Sequence, residues 1–301
     1  MENISISSQF DIFHSPINFS LKNDLMFHVV MQKSPKALTS LVCALKNLSP
    51  GAVRSVCLRN PIIFGSYDES KEVILDVLVE MNDSEYINLE LQIYVDKYWI
   101  MRSLLYLART FDSLRIGQKY KDLKPTTIVC IMGYMLFPED PEFYARYELK
   151  NTRNNRSYTS NFNLNVLDLS RLDLATRKDV SCGLADWARI FNAATWEELY
   201  ALSKDNEVFM EVYEIMRAAE LSPEERTMLE GHRRWLEVHN TLMGDLEDAR
   251  AELSSTQSRL KTTETALSST QVKLSSTEAE LAAERRLTEE LRRQIRELTS
   301  N

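Results

Sequence analysis

From Leu246 onward, leucine returns at every seventh position, at Leu253, Leu260, Leu267, Leu274 and Leu281, inside near-copies of the stretch LSSTQVK. An apolar period of seven winds helices together along a left-handed coiled-coil seam. Nothing interrupts that helix, because no proline follows Pro223 and no glycine follows Gly244. Ser222, Pro223 and Glu225 supply an N-cap, a first-turn proline and the capping-box acid, so a long helix is predicted over 222–301. With the leucines at heptad position a, Ala249, Thr256, Thr263, Thr270 and Thr277 fall at d, followed by Ile295 at a and Leu291 and Leu298 at d. The opposite register would fill a with Arg250, Gln257, Glu264, Gln271 and Glu278, so the first is preferred. A leucine stripe with no partner on its own helix points to a homo-oligomer, a dimer being favoured by base rate.

The remainder reads as α/β. In LKNDLMFHVVMQKSPKALTSLVCALKNL the apolar residues recur at helical spacing through Leu25, Val29, Leu38, Leu41 and Leu45, with a break near Pro35. Strand-like VRSVCL and an apolar hairpin over 73–95 follow. KYWIMRSLLYLARTFDSLRIG is then predicted as a helix stopped by Gly117, its stripe of Ile100, Leu104, Leu107, Phe111 and Leu114 facing the core. The β-branched run TTIVCIMGYMLF and the alternating NFNLNVLDLSRL complete a first segment, 1–172. A helical segment, 173–221, contains LADWARIFNAATWEEL and NEVFMEVYEIMRAAEL, and precedes the long helix.

Composition narrows the function. The chain is 44% hydrophobic, which is ample for a core, and a net charge of −8 argues against a broad, sequence-independent grip on DNA. Any nucleic-acid function must rest on a local basic patch or a bound cation. Cys43, Cys57, Cys130 and Cys182 form no CxxC pair, and His14, His28, His232 and His239 have no metal-ligand spacing. MENISISSQFDIFHSP lacks a basic and then apolar leader, and no run approaches the roughly 18 apolar residues of a membrane span, so a soluble, cytoplasmic protein is expected.

The hairpin VILDVLVEMNDSEYINLELQIYV carries the chemistry. Asp76 shares a strand face with Ile74, Leu78 and Glu80; Glu90 shares one with Asn88, Gln92 and Tyr94; the opposite faces are apolar. Asp76 and Glu90 lie equally far from Asp83, so a turn centred there sets them opposite one another with Cβ atoms about 5 Å apart. Two such carboxylates repel unless a hard divalent cation, Mg²⁺ first, lies between them. Gln92 points the same way and could hold a metal-bound water or a phosphate oxygen. The spacing alone also fits charges on a solvated strand face. On the following helix Arg102, Tyr106 and Arg109 share one face, where guanidinium groups suit phosphate, although an ordinary wet helix face has the same pattern.

DVLVE…INLELQ, preceded by LKNDLMF and followed by YWIMRSLLYLARTFDSLRIGQKYKDLKPTTIVCI, resembles the PD-(D/E)XK nuclease family transposases, the group of the Rpn recombination-promoting nucleases, over about residues 20–172. The resemblance implies a restriction-endonuclease-like mixed sheet flanked by helices. It makes Asp76 the metal-binding Asp, Glu90 the second acidic ligand and Gln92 the counterpart of the motif's Lys in its Gln-bearing variant. Asp24 resembles the additional N-terminal acid, and His28 stands where this group often has Lys. The implied activity is Mg²⁺- or Mn²⁺-dependent endonucleolytic hydrolysis of DNA, associated with transposition or recombination. Asp76, Glu90 and the Leu91 carbonyl would bind the metal, and Gln92 would position water. The rival expectation is an inactive nuclease fold that acts as a coiled-coil scaffold.

Overall fold

The computed structural model describes residues 15–59, 62–63, 73–74, 76–114 and 117–299. Residues 1–14, which include His14 and most of the N-terminal stretch MENISISSQFDIFHSP, lie outside them. The chain forms two compact units, 1–232 and 233–301. No helix among the described residues is long and apolar enough to cross a membrane.

The first unit opens with α1 (Asp24–Lys33) and α2 (Pro35–Lys46), which meet at Ser34. Its N–H ends α1 on the Val30 carbonyl while its hydroxyl accepts from Ala37 N to start α2, so the chain breaks at Pro35 as its sequence predicts. The main sheet holds β1 (Val56–Leu58), β4 (Val77–Met81), β5 (Glu85–Gln92), β6 (Thr126–Met132), β7 (Tyr144–Glu148) and β8 (Phe162–Asp168), in the order β1-β4-β5-β6-β8-β7. The β5–β6 and β6–β8 pairs are parallel and the others antiparallel, giving the mixed sheet expected. β2 (Ile62–Ile63) and β3 (Val73–Ile74) make a separate two-stranded ribbon.

Helices cover both faces. Against one lie α1, α2, α5 (Leu184–Asn192) and α7 (Glu207–Leu221), where Phe27, Leu41, Trp187 and Val212 share a core with Val79, Leu89 and Ile131. The short helices α4 (Arg177–Ser181) and α6 (Trp196–Ser203) connect these, and Trp196 and Leu199 join the same core. Across the other face runs α3 (Trp99–Phe111), where Trp99 and Leu107 pack on Ile128, Cys130 and Val166.

Several expectations are corrected. The first arm of the hairpin is split: Val73 and Ile74 pair in the ribbon, β4 starts at Val77, and Asp76 stands between the two strands. Helix α3 ends at Phe111, well before Gly117, and Phe111 closes it by packing edge-on against Phe162. Its core face runs through Trp99, Ser103, Leu107 and Thr110, leaving Ile100 and Leu104 each 45% exposed, so the apolar stripe is turned by one position from the spacing-based reading. The capping box before the long helix α8 (Pro223–Thr299) is half formed. Ser222 Oγ accepts from Glu225 N at 3.3 Å, but the Ser222 N–H already caps α7 on Ala218 O, and the Glu225 carboxylate pairs with Lys33 instead.

Gly133 holds the end of the sheet beside Gln92. Its N–H donates to the Gln92 carbonyl at 2.9 Å, and a Cβ there would sit 2.8 Å from Ile93 O and 2.9 Å from Ile93 Cα. Because these are backbone atoms, the clash cannot be relieved by turning a side chain. Gly133→Ala is therefore expected to destabilise the unit by about 2 kcal/mol, read as a lower urea midpoint at unchanged slope. An unchanged midpoint would show that the β5 end yields without cost.

Candidate active site

The β4–β5 register pairs Val77 with Leu89 and Leu78 with Asn88, around a turn in which Asn82 and Asp83 both take left-handed backbone conformations. Extended by one residue, this register sets Asp76 opposite Glu90. The two meet through short polar contacts. Leu91 N donates to Asp76 Oδ2 at 2.7 Å, Asp76 N approaches Glu90 Oε1 at 3.4 Å, and Asn88 Nδ2 donates to that same Oε1 at 2.7 Å. Each carboxylate thus has one oxygen fixed by N–H donors. Among the described residues, none donates to Asp76 Oδ1 or Glu90 Oε2.

Helix α1 approaches from the side. His28 Nδ1 donates to the Asp76 carbonyl at 3.1 Å, and Asp24, one turn earlier, is close enough to act on the Asp76 charge. On α3, Arg102 is held by an ion pair with Asp96 and by a 3.0 Å hydrogen bond from its guanidinium to the Tyr106 hydroxyl, and it lies over the rings of Trp99 and Tyr106. Its charge reaches both Asp76 and Glu90. Gln92 Nε2 donates to Tyr94 O at 2.7 Å, an arrangement that leaves its carbonyl oxygen as an acceptor. Arg109 lies two turns beyond Arg102 on α3 and has no polar contact with this group of residues.

The electrostatics are those of a site short of positive charge. Burial, and then the Asp24 carboxylate, push the Asp76 carboxyl up to about 7, against the Leu91 N–H and Arg102. Glu90, only 3% exposed, is raised well above the ordinary carboxylate range by burial and then by Asp76. Asp24 is raised by burial, with His232 opposing. Glu80 on the same strand face is equally buried, yet its outcome is the reverse. Burial pushes it up too, but hydrogen bonds and charge from Lys124 and Arg59 outweigh that and hold it below its usual value. At Glu80 the protein supplies two paired counter-cations; at Asp76 and Glu90, among the described residues, Arg102 acts without a direct ion pair and does not offset their burial.

The donor set fits a hard cation. Asp76 and Glu90 offer carboxylate oxygens, and both free carboxylate oxygens belong to acids whose ionised forms are destabilised. Among the described residues no three His, Cys, Asp or Glu side chains cluster as a complete metal cage. Few protein ligands is the ordinary situation for Mg²⁺, which keeps several waters.

A family model described as PD-(D/E)XK nuclease family transposase matches residues 21–243. The chain belongs to this family. The match runs beyond the β-sheet through α7 and into α8, so α4 to α7 and the first part of α8, up to residue 243, lie within the PD-(D/E)XK transposase region. No curated protein and no solved structure gave a significant match. Membership gives the chain a nuclease- and transposition-related setting with DNA as the substrate of the family.

Three residues escaped the sequence reading as parts of the site. Asn88 fixes Glu90 and could have been singled out, since it shares its strand face two residues earlier. Asp96, six residues before Arg102, was within local reach too; His232 was not, because its approach to Asp24 depends on how separate elements pack.

An acid whose pKa is higher in the folded than in the unfolded chain costs nothing at low pH, where both forms are neutral. It destabilises progressively as pH climbs from the unfolded value near 4 to the folded value near 7, for Asp76 alone by on the order of a few kcal/mol. The metal-free protein is therefore expected to be more stable at pH 5.5 than at pH 8, and Asp76→Asn to raise the pH 8 urea midpoint and shrink the difference. A pH dependence identical in the two proteins would place the titrating charge elsewhere.

Proposed function

We propose that the chain is a metal-dependent DNA endonuclease that hydrolyses phosphodiester bonds, with Asp76, Glu90 and the Leu91 carbonyl as the protein ligands of Mg²⁺ or Mn²⁺. The observation that carries this reading is the contrast between Glu80, whose buried charge is matched by Lys124 and Arg59, and the Asp76–Glu90 pair, whose charge is unmatched. A divalent cation, when bound, supplies that missing charge, acidifies a water and neutralises charge on the phosphate.

The chain's own residues account for the remaining tasks. Leu91 N and Asn88 Nδ2 orient the two carboxylates so that one oxygen of each is left for a ligand. Gln92, anchored by its amide nitrogen on Tyr94 O, can accept a hydrogen bond from a water through its carbonyl oxygen and so aim it. Gln92 carries no charge, and Arg102 stands in for the positive group that Lys would bring. Held by Asp96 and Tyr106, its guanidinium is pre-ordered for a phosphate oxygen beside the acids. Arg109 and Tyr106 extend the same helix face along the path of the DNA backbone. Asp24 adds a third acid next to Asp76, which strengthens the demand for a cation.

In a plasmid-cleavage assay with Mg²⁺, Asp76→Ala and Glu90→Ala are each expected to lower the rate by about a hundredfold or more while the folded spectrum is kept. Full cleavage by either variant would overturn the assignment. Gln92→Lys should keep or increase activity, and Gln92→Leu should lose it; equal rates for Leu and Gln would remove Gln92 from the chemistry. Arg102→Ala and Arg109→Ala should each weaken DNA binding and reduce the slope of log affinity against log salt by about one phosphate contact. Unaltered slopes would return both to an ordinary solvated helix face.

A further inference from the structure

In the second unit α8 leaves Leu253, Leu260, Leu267, Leu274, Leu281 and Ile295 between 50% and 60% exposed. Thr256, Thr263, Thr270 and Thr277, on the same stripe, each donate their hydroxyl to the carbonyl four residues back, at 2.8 to 3.0 Å. Their polar atoms are satisfied within the helix, so a partner could cover them without orphaning a hydroxyl. Burying the stripe requires a second surface of the same period, and the charges beside it say which.

With the leucines at a, the e positions from 250 to 292 are Arg250, Gln257, Glu264, Gln271, Glu278, Arg285 and Arg292, and the g positions from 252 to 287 are Glu252, Arg259, Ala266, Lys273, Glu280 and Leu287. In a parallel, in-register pair each g residue faces the e residue five positions on in the other strand. Arg259 then meets Glu264 of the second copy, Lys273 meets Glu278, and Glu280 meets Arg285. Glu252 and Ala266 face glutamines, so no like charges oppose. An antiparallel pair with the leucine stripes fully overlapped sets e against e and g against g. It places Glu264 against Glu278, Arg250 against Arg292 and Lys273 against itself, and gains no opposite pair. The leucine-at-d register would put Ala249 and the four threonines at g and leave no oppositely charged g–e pair. All six charged residues of the parallel pairing are exposed, and none makes an ion pair within its own helix among the described residues.

We propose that α8 pairs with α8 of a second copy of this chain as a parallel, in-register, two-stranded coiled coil. Leucines at a and threonines at d form its seam, and the Arg259, Lys273 and Glu280 pairings fix its direction. Parallel pairing attaches both 1–232 units to the same end of the seam, so that two catalytic sites can work on one duplex. Direction here is set by attraction in one arrangement and repulsion in the other, the usual means by which coiled coils choose a partner.

The test uses the full-length chain with Cys57→Ser, which removes the exposed native thiol. Sedimentation at tens of micromolar should give the mass of a dimer. Thr256→Cys in that background, under a mild glutathione redox buffer, should form a covalent dimer on a non-reducing gel, because parallel in-register pairing brings this residue opposite itself and the fully overlapped antiparallel pair does not. The triple reversal Glu264→Lys, Glu278→Lys, Arg285→Glu should raise the dimer dissociation constant by about a hundredfold. Adding Arg259→Glu, Lys273→Glu and Glu280→Lys should restore it. A monomer or trimer, a dimer in which Thr256→Cys does not cross-link, or a triple reversal without effect would each overturn the proposal.

Discussion

Strand β5 is hydrogen-bonded along both edges, antiparallel to β4 and parallel to β6, and this double pairing fixes everything the candidate site needs. Side chains alternate along a strand, so a slip of one residue would drive Asn88 and Glu90 into the larger apolar core and turn Ile87, Leu89 and Leu91 away from it, toward the face that holds Asp76. The cost of burying an unpaired carboxylate there, several kcal/mol, far exceeds anything a turn could return. The register is therefore held from both sides. It carries Glu90 to the point where the chain arrives at Asp76.

That placement is expensive in a specific way. The same sheet face contains Glu80, which Lys124 and Arg59 neutralise, and the fold evidently has the means to satisfy a buried acid. Among the described residues the cation whose charge acts on both Asp76 and Glu90 is Arg102, and Asp96 already pairs with it. Local electrostatic cost left unmatched is the mark of a position shaped for a ligand, while a matched ion pair is the mark of structure. The protein carries both within one strand pair, which makes the comparison internal to it.

Much of this was legible in the sequence, and the reasons are physical. Period-two alternation and a turn centred on Asp83 fixed the hairpin register, since both are local. The face carrying Asp76 and Glu90 followed directly from it. The heptad leucines announced a continuous helix because a stretch without proline and glycine contains nothing to stop one. Tertiary features were hidden. Strand β7, YARYE, has only Ala145 buried and owes its conformation to pairing with β8. Helix α3 turned its polar-seeming Ser103 and Thr110 inward because their hydroxyls bond to Ile100 O and Tyr106 O on their own helix, which makes them apolar enough to pack. The tie from His232 to Asp24 arises only once distant segments meet.

The central claim is that Asp76 and Glu90 together form a cation site. Isothermal titration calorimetry with Mn²⁺ on the metal-free protein near pH 6, in two buffers of different ionisation enthalpy, measures both binding and the protons it displaces. Because burial raises the Asp76 carboxyl to about 7 and shifts Glu90 upward as well, the native chain is predicted to bind Mn²⁺ saturably with release of protons, and Asp76→Asn to lose both the binding and the release. No binding by the native chain, or the same isotherm and the same proton count from Asp76→Asn, would contradict it.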